Sequence, residues 1–171
     1  MKRHFYFFRH GQTNENEAHI RYGTGVDAWL TKLGVEQANK LHEFFKYKNI
    51  DVIYSSPYRR SIETAEIAIT NNTNIEIITE DALKEAIFWF WSTESKEKKQ
   101  QIDYNFSVIK NCLNEIVKTD SRANIAVASH GGVTRALCWT CGYKVDEIKN
   151  CQCFHFILDD DKWQFVETFI P

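Results

Sequence analysis

Short β-rich apolar runs alternate along this chain with segments whose apolar residues recur at helical spacing, and no other feature limits its fold so strongly. The runs span residues 4–8, 51–54, 75–79 and 124–128. Between them come Val35, Ala38, Leu41, Phe44 and Phe45, then Ile62, Ala65 and Ile69, then Phe106, Ile109, Leu113, Ile116 and Val117. That spacing lines one face of a helix. Parallel strands need crossovers long enough to hold a helix, so the alternation predicts an α/β protein. The expected architecture is a three-layer α/β/α sandwich with a mostly parallel mixed sheet. The mixed part lies at the end of the chain, where residues 154–158 and 163–169 read as a hairpin turning at Asp159-Asp160-Asp161.

Local signals set the boundaries. Thr31 follows Leu30 as a predicted N-cap for the first helix. Ser55-Ser56-Pro57 is expected to open the second, with Pro57 in its first turn. A further helix is expected over 131–142, and residues 95–101 read as the solvated start of another. Residues 11–29 read as loop, and 83–91 fit no single element. With 171 residues, 43% of them apolar, the chain is expected to form one domain over 1–171.

Ligands of open α/β sheets bind beyond the carboxyl ends of the strands. Arg9, His10, Ser55, Ser56 and His130 all fall at such ends. His10 stands in Arg9-His10-Gly11, and His130 in Ser129-His130-Gly131-Gly132. The net charge of −2 gives no general pull towards nucleic acid or membrane, so an anion site here must be a local cluster. Arg9, and Arg59 or Arg60 at a helix start, supply the bidentate forks that suit phosphate. The pattern points to phosphoryl transfer. His10 would attack while its other ring nitrogen donates to a backbone carbonyl, and Gly11 would let the chain turn close to the phosphate. His130 would donate to the phosphate if protonated. Glu85 would protonate the leaving oxygen, its pKa raised by burial near Phe88 and Trp89.

Five blocks carry a resemblance. They are Arg9-His10-Gly11-Gln12-Thr13 with Asn16, Leu30-Thr31-x-x-Gly34-x-x-Gln37-Ala38, the stretch Ser55-Ser56-Pro57-Tyr58-Arg59-Arg60-Ser61-Ile62-Glu63-Thr64-Ala65, Leu83-Lys84-Glu85, and Ser129-His130-Gly131-Gly132. In this order the chain resembles the histidine phosphatase superfamily, the phosphoglycerate-mutase-like proteins. The resemblance implies that His10 is the phosphorylated residue and Glu85 the proton donor. It implies a phosphate pocket of Arg9, Arg60 and His130, with Asn16 as a further contact. It also brings Gln12, Thr13 and Gly131 into the substrate-binding set. Arg60 is chosen over Arg59 because the family's arginine lies four residues before a Thr-Ala pair, here Thr64-Ala65. No metal or other cofactor is implied. The reaction implied is hydrolysis of small phosphate monoesters through a phosphohistidine. Mutase-type transfer is the alternative, disfavoured by the short spacing from Glu85 to His130, and a phosphate-binding module without turnover is another. The chain departs from the family at Thr24 and Trp29 and in Ala86-Ile87-Phe88-Trp89-Phe90-Trp91 after the acid.

The aromatic run 88–91 remains open as a wall of the site, a homodimer patch or core. Five cysteines, an odd number, argue for reduced thiols. Cys138-x-x-Cys141 and Cys151-x-Cys153-x-His155 have metal-ligand spacing but read first as buried core, and Asn150-Cys151 matches the pair that often starts a late strand in the family. Met1-Lys2-Arg3 opens like a leader, yet Arg9 and His10 interrupt the apolar run. A cytoplasmic protein with no membrane or nucleic-acid partner is expected.

Overall fold

The computed structural model describes residues 2–14, 27–70, 72, 74–85 and 96–171, the side chains of 96–99 excepted. The described residues form strands β1 (Arg3–Arg9), β2 (Val52–Ser55), β3 (Glu76–Thr79), β4 (Asn124–Ser129), β5 (Cys153–Asp159) and β6 (Lys162–Phe169). The helices are α1 (Lys32–Phe45), α2 (Arg59–Ala68), α3 (Lys96–Thr119) and α4 (Gly131–Thr140). The strands make one sheet in the order β3-β2-β4-β1-β5-β6. The first four in that order run parallel, whereas β5 is antiparallel to β1 and β6 to β5.

The aromatic run of β1 shows why this sheet is covered on both sides. Successive strand residues point to opposite faces. Phe5 and Phe7 join Val52, Ile125 and Val127 beneath Ile109 and Leu113 of α3 and Leu137 of α4. Tyr6 and Phe8 join Ile53, Ala126 and Ala128 against Leu41 and Phe45 of α1 and Ala65 and Ala68 of α2. A strand buried on both faces has to be apolar at every position. The three-layer sandwich expected from the sequence is therefore present. The chain leaves β1 over one face and β4 over the other, so the carboxyl ends of these neighbours flank a switch point. Their register pairs Arg9 with Ser129.

Most boundaries follow their local signals. Thr31 caps α1, its side chain accepting from the Gly34 N–H at 3.0 Å. Gly142, at φ +81°, ends α4 in the left-handed region. The hairpin turns on Asp160 and Asp161, both at positive φ. The start of α2 is a correction. Ser55 closes β2, Ser56 to Tyr58 form a turn, and the helix begins at Arg59, so Pro57 lies outside it. The buried face of α2 also differs: Arg60, Ser61 and Thr64 are buried with Ala65 and Ala68. This face turns towards the end of β1, where Arg60 and Thr64 find polar partners. In the unassigned stretch, a 3-10 turn at Asp81–Leu83 seats the fully buried Leu83, and Glu85 follows two residues later. Residues 86–91 lie outside the described residues.

A polar knot ties β1 and β2 to the end of α3. Arg3 donates to the carbonyls of Val117, Asp120 and Arg122. Asp120 accepts from the Tyr54 hydroxyl at 2.8 Å and from Arg122 Nη2 at 2.7 Å. Burial pushes the Asp120 carboxyl up, but the hydrogen bonds of Arg122 and Tyr54 outweigh it and hold the group at about 2. Asp120→Asn is expected to cost about 2 kcal/mol at neutral pH, the scale of hydrogen bonds to a charged group. A depressed carboxyl stabilises the fold above its unfolded value of about 3.9 and loses that contribution as the pH falls through the folded value. The gap between wild type and variant in urea unfolding should therefore narrow from about pH 5 towards about pH 2.

Candidate active site

His10 follows the last residue of β1 and is 2% exposed. Its Nδ1 lies 2.7 Å from the Gly11 carbonyl oxygen, which can only accept. Nδ1 therefore carries the hydrogen and Nε2 the lone pair, as an attacking histidine requires. That lone pair accepts the Nε–H of Arg60 at 3.3 Å. Burial, then the charges of Arg9 and Arg60, hold His10 well below the usual histidine value, against the Gly11 bond. The ring is thus neutral at physiological pH.

The backbone at His10 is clamped from three sides. The His10 N–H donates to the Ser129 carbonyl at 2.9 Å. Asn150 Nδ2 and the Cys151 N–H both donate to the His10 carbonyl, at 3.1 and 3.3 Å. The Gly11 N–H donates to Thr64 Oγ1 at 3.0 Å. Asn150, Cys151 and Thr64 are partners that the sequence did not single out for the site. The one signal for the first two was the Asn150-Cys151 pair at the start of a late strand.

His130 is the N-cap residue of α4, fully buried, with its ring 5.2 Å from that of His10. Its Nε2 is 2.8 Å from Ser56 Oγ. Its Nδ1 is 3.4 Å from Glu85 Oε2 and makes no hydrogen bond among the described residues. Burial, then His10, Arg60 and Arg9, hold His130 well below the usual histidine value. The protonated donor anticipated from the sequence thus requires a bound dianion to favour it.

Arg60, 6% exposed, places Nη2 3.6 Å from Glu85 Oε2. Arg9 donates through Nη1 to the Ile148 carbonyl at 2.8 Å and passes beside Gly131. Its Nε is buried without a hydrogen-bond partner among the described residues. Burial raises the Glu85 pKa, opposed by Arg60 and then Arg9. The structure thus brings together Arg9, His10, Arg60, Glu85, His130 and Gly131. Gln12 turns towards α1, its Oε1 accepting from the Thr31 hydroxyl at 2.9 Å. Thr13 is buried and bridges to Leu30. Arg59 lies over the exposed Trp29 ring, 3.8 Å from its centroid, outside the cluster of buried charges. Asn16 lies outside the described residues, as do Thr24 and residues 88–91.

Among the described residues, one set of three metal-ligating side chains has ligand atoms within 4.8 Å of one another: His10, Glu85 and His130. Two guanidinium groups border that set, so its field favours an anion over a cation. The cysteine motifs do not converge. All five thiols are free, and Cys138 and Cys141 sit in the core on one face of the sheet with Cys153 on the other. Burial raises all of these thiols.

A sequence profile of the histidine phosphatase superfamily (branch 1) matches residues 5–108. Putative phosphoserine phosphatase 2 of Hydrogenobacter thermophilus is 30% identical, over 88% of this chain and 84% of that protein. Phosphoserine phosphatase 1 of the same organism is 28% identical, over 75% of this chain and 71% of its own. The phosphoglycerate mutase of Bacillus anthracis superposes with a TM-score of 0.82 over 97% of this chain and 92% of that one, at 20% identity, a likeness of fold.

Proposed function

The chain belongs to the histidine phosphatase superfamily (branch 1), and on that footing we propose that it hydrolyses small phosphate monoesters, without a metal, through a phosphohistidine at His10. The observation that carries this reading is the convergence of His10, Glu85 and His130 within 4.8 Å beside Arg9 and Arg60. Substrate phosphate lies between the guanidinium groups and His130. The Arg60 N–H moves from His10 Nε2 to a phosphate oxygen and frees the lone pair. Nε2 forms the bond to phosphorus as the ester P–O bond breaks, and the Glu85 carboxyl proton goes to the leaving oxygen. The Gly11 carbonyl holds the Nδ1–H of the now cationic ring. Water then attacks phosphorus, the Glu85 carboxylate takes its proton, and the N–P bond breaks to release inorganic phosphate. The two arginines stabilise the charge of the transferring group.

Free, buried thiols support a reducing compartment, and no helix among the described residues is long and apolar enough to cross a membrane. Phosphoserine heads the substrates to test, because two relatives carry it in their names. A panel of phosphate monoesters assayed before and after EDTA treatment tests the reading. Release of inorganic phosphate at an unchanged rate is expected. Activity lost to the chelator and restored by a divalent metal would refute the metal-free step.

A further inference from the structure

Ser56 lies in the turn between β2 and α2, fully buried. Among the described residues its hydroxyl has two polar neighbours, the Tyr58 N–H at 3.3 Å and His130 Nε2 at 2.8 Å. The Tyr58 amide can only donate, so it occupies a lone pair of Oγ. The hydroxyl hydrogen then has one acceptor to go to, the Nε2 lone pair of His130. Were the hydrogen on Nε2 instead, the serine would bury an O–H with nowhere to donate, and such groups are rare in folded proteins.

We propose that Ser56 is a positioning residue that fixes the tautomer of His130, so that the neutral ring carries its hydrogen on Nδ1 and donates it to the transferring phosphoryl group. Nδ1 is buried, makes no hydrogen bond among the described residues, and lies 3.4 Å from Glu85 Oε2. The relay Tyr58 N–H to Ser56 O–H to His130 makes this histidine a donor without a second proton. Such a donor is needed here. The groups facing His130 are Arg9 and His10 at the end of β1, Arg60 from α2, Tyr58 from the turn and Glu85 after the 3-10 segment. Of these, His10, Arg60 and Arg9 oppose a charge on the ring. His10 and His130 thus form a matched pair, one presenting a lone pair and the other an N–H to the same space, each held by a hydrogen bond at its far nitrogen.

The consequence for catalysis rests on the phosphohistidine reading, but the tautomer is observable without it. Nitrogen-15 NMR of the full chain with labelled histidine, His130 being assigned with His130→Gln, should give an Nδ1–H, Nε2-unprotonated ring at neutral pH. An Nε2–H ring overturns the proposal whether or not the chain is a phosphatase. Ser56→Ala frees the ring to hold its hydrogen at either nitrogen. Its kcat/KM is expected to fall about tenfold near pH 8, the lower end of what removing a histidine's hydrogen-bond partner costs elsewhere. The deficit should shrink towards about pH 5.5, where an imidazolium beside bound phosphate supplies the Nδ1–H unaided. Ser56→Thr, which keeps the hydroxyl, should restore the profile. A deficit independent of pH in Ser56→Ala overturns the positioning role. If that variant fails to fold, the wild-type spectrum alone decides.

Discussion

His10→Ala is expected to lower the hydrolysis of an aryl phosphate by about 10⁵- to 10⁶-fold, the scale on which removing a covalent nucleophile acts in other enzymes. Among the described residues no second group is placed to take over. In the proposed tautomer His130 turns its lone pair to Ser56, 2.8 Å away, and its hydrogen to the site, and the proposed reaction uses Glu85 as the proton donor. The buried cysteines are held as thiols, Cys151 at about 12 by burial, against the pull of Arg9. The phosphate pocket should survive the change. Arg9 is anchored on the Ile148 carbonyl independently of His10, and Arg60 keeps Glu85 beside it. Inhibition by inorganic phosphate should therefore change by less than about tenfold, because a neutral ring contributes less to anion binding than two guanidinium groups. Acid quenching destroys phosphohistidine, so the wild-type intermediate is to be trapped in base, and it should be absent from the variant. Residual turnover above about one part in a thousand of the wild-type rate would mean that another group attacks phosphorus.

The features of this site that a reader could take from the chain are those fixed by strand ends. An apolar run that stops at Arg9 and another that stops at Ser129 place two histidines side by side once the runs pair in parallel, and their register does pair Arg9 with Ser129. The two-sided core of β1 was legible as well, because an unbroken apolar run leaves a strand no polar face. What escaped was set by contacts between distant segments. Pro57 suggested a helix start, yet Ser56 Oγ serves His130 and Tyr58 together, and the helix waits until Arg59. The apolar stripe read on α2 is partly displaced by Arg60, Ser61 and Thr64; Arg60 meets His10 and Glu85, and Thr64 meets Gly11, residues that follow β1 and β3. The Asn150-Cys151 pair marked only a strand start, and nothing local says that Asn150 will hold the His10 carbonyl from 140 residues away.

Gly11 shows the same limit, and it yields the second large effect. The sequence assigned this glycine to close approach of a phosphate, but its neighbour in the fold is α1. A Cβ on Gly11 would lie 2.6 Å from the Gly34 carbonyl oxygen, and a Cβ on Gly34 would lie 2.2 Å from the Gln12 carbonyl oxygen. The loop after His10 and the first turn of α1 therefore touch backbone to backbone. Gly34→Ala sets two effects against each other. Alanine is the better helix former by about 1 kcal/mol. The added methyl meets backbone, which has no rotamer to yield, and overpacking of even side-chain cores costs about 1–3 kcal/mol. The collision outweighs the propensity gain, so the variant should be less stable by about 2 kcal/mol in urea unfolding, the upper part of that range less the gain. Activity should fall further than stability does. The Gly11 carbonyl holds His10 Nδ1 at 2.7 Å, and a displacement of about 1 Å at a reacting group costs on the order of 100-fold. Measured well below its unfolding temperature, Gly34→Ala should thus lose about 100-fold in kcat with a smaller change in KM. Lys40→Ala, on the exposed face of the same helix, should change neither. A Gly34→Ala enzyme as stable as the wild type and fully active would show that α1 does not hold the His10 loop in place.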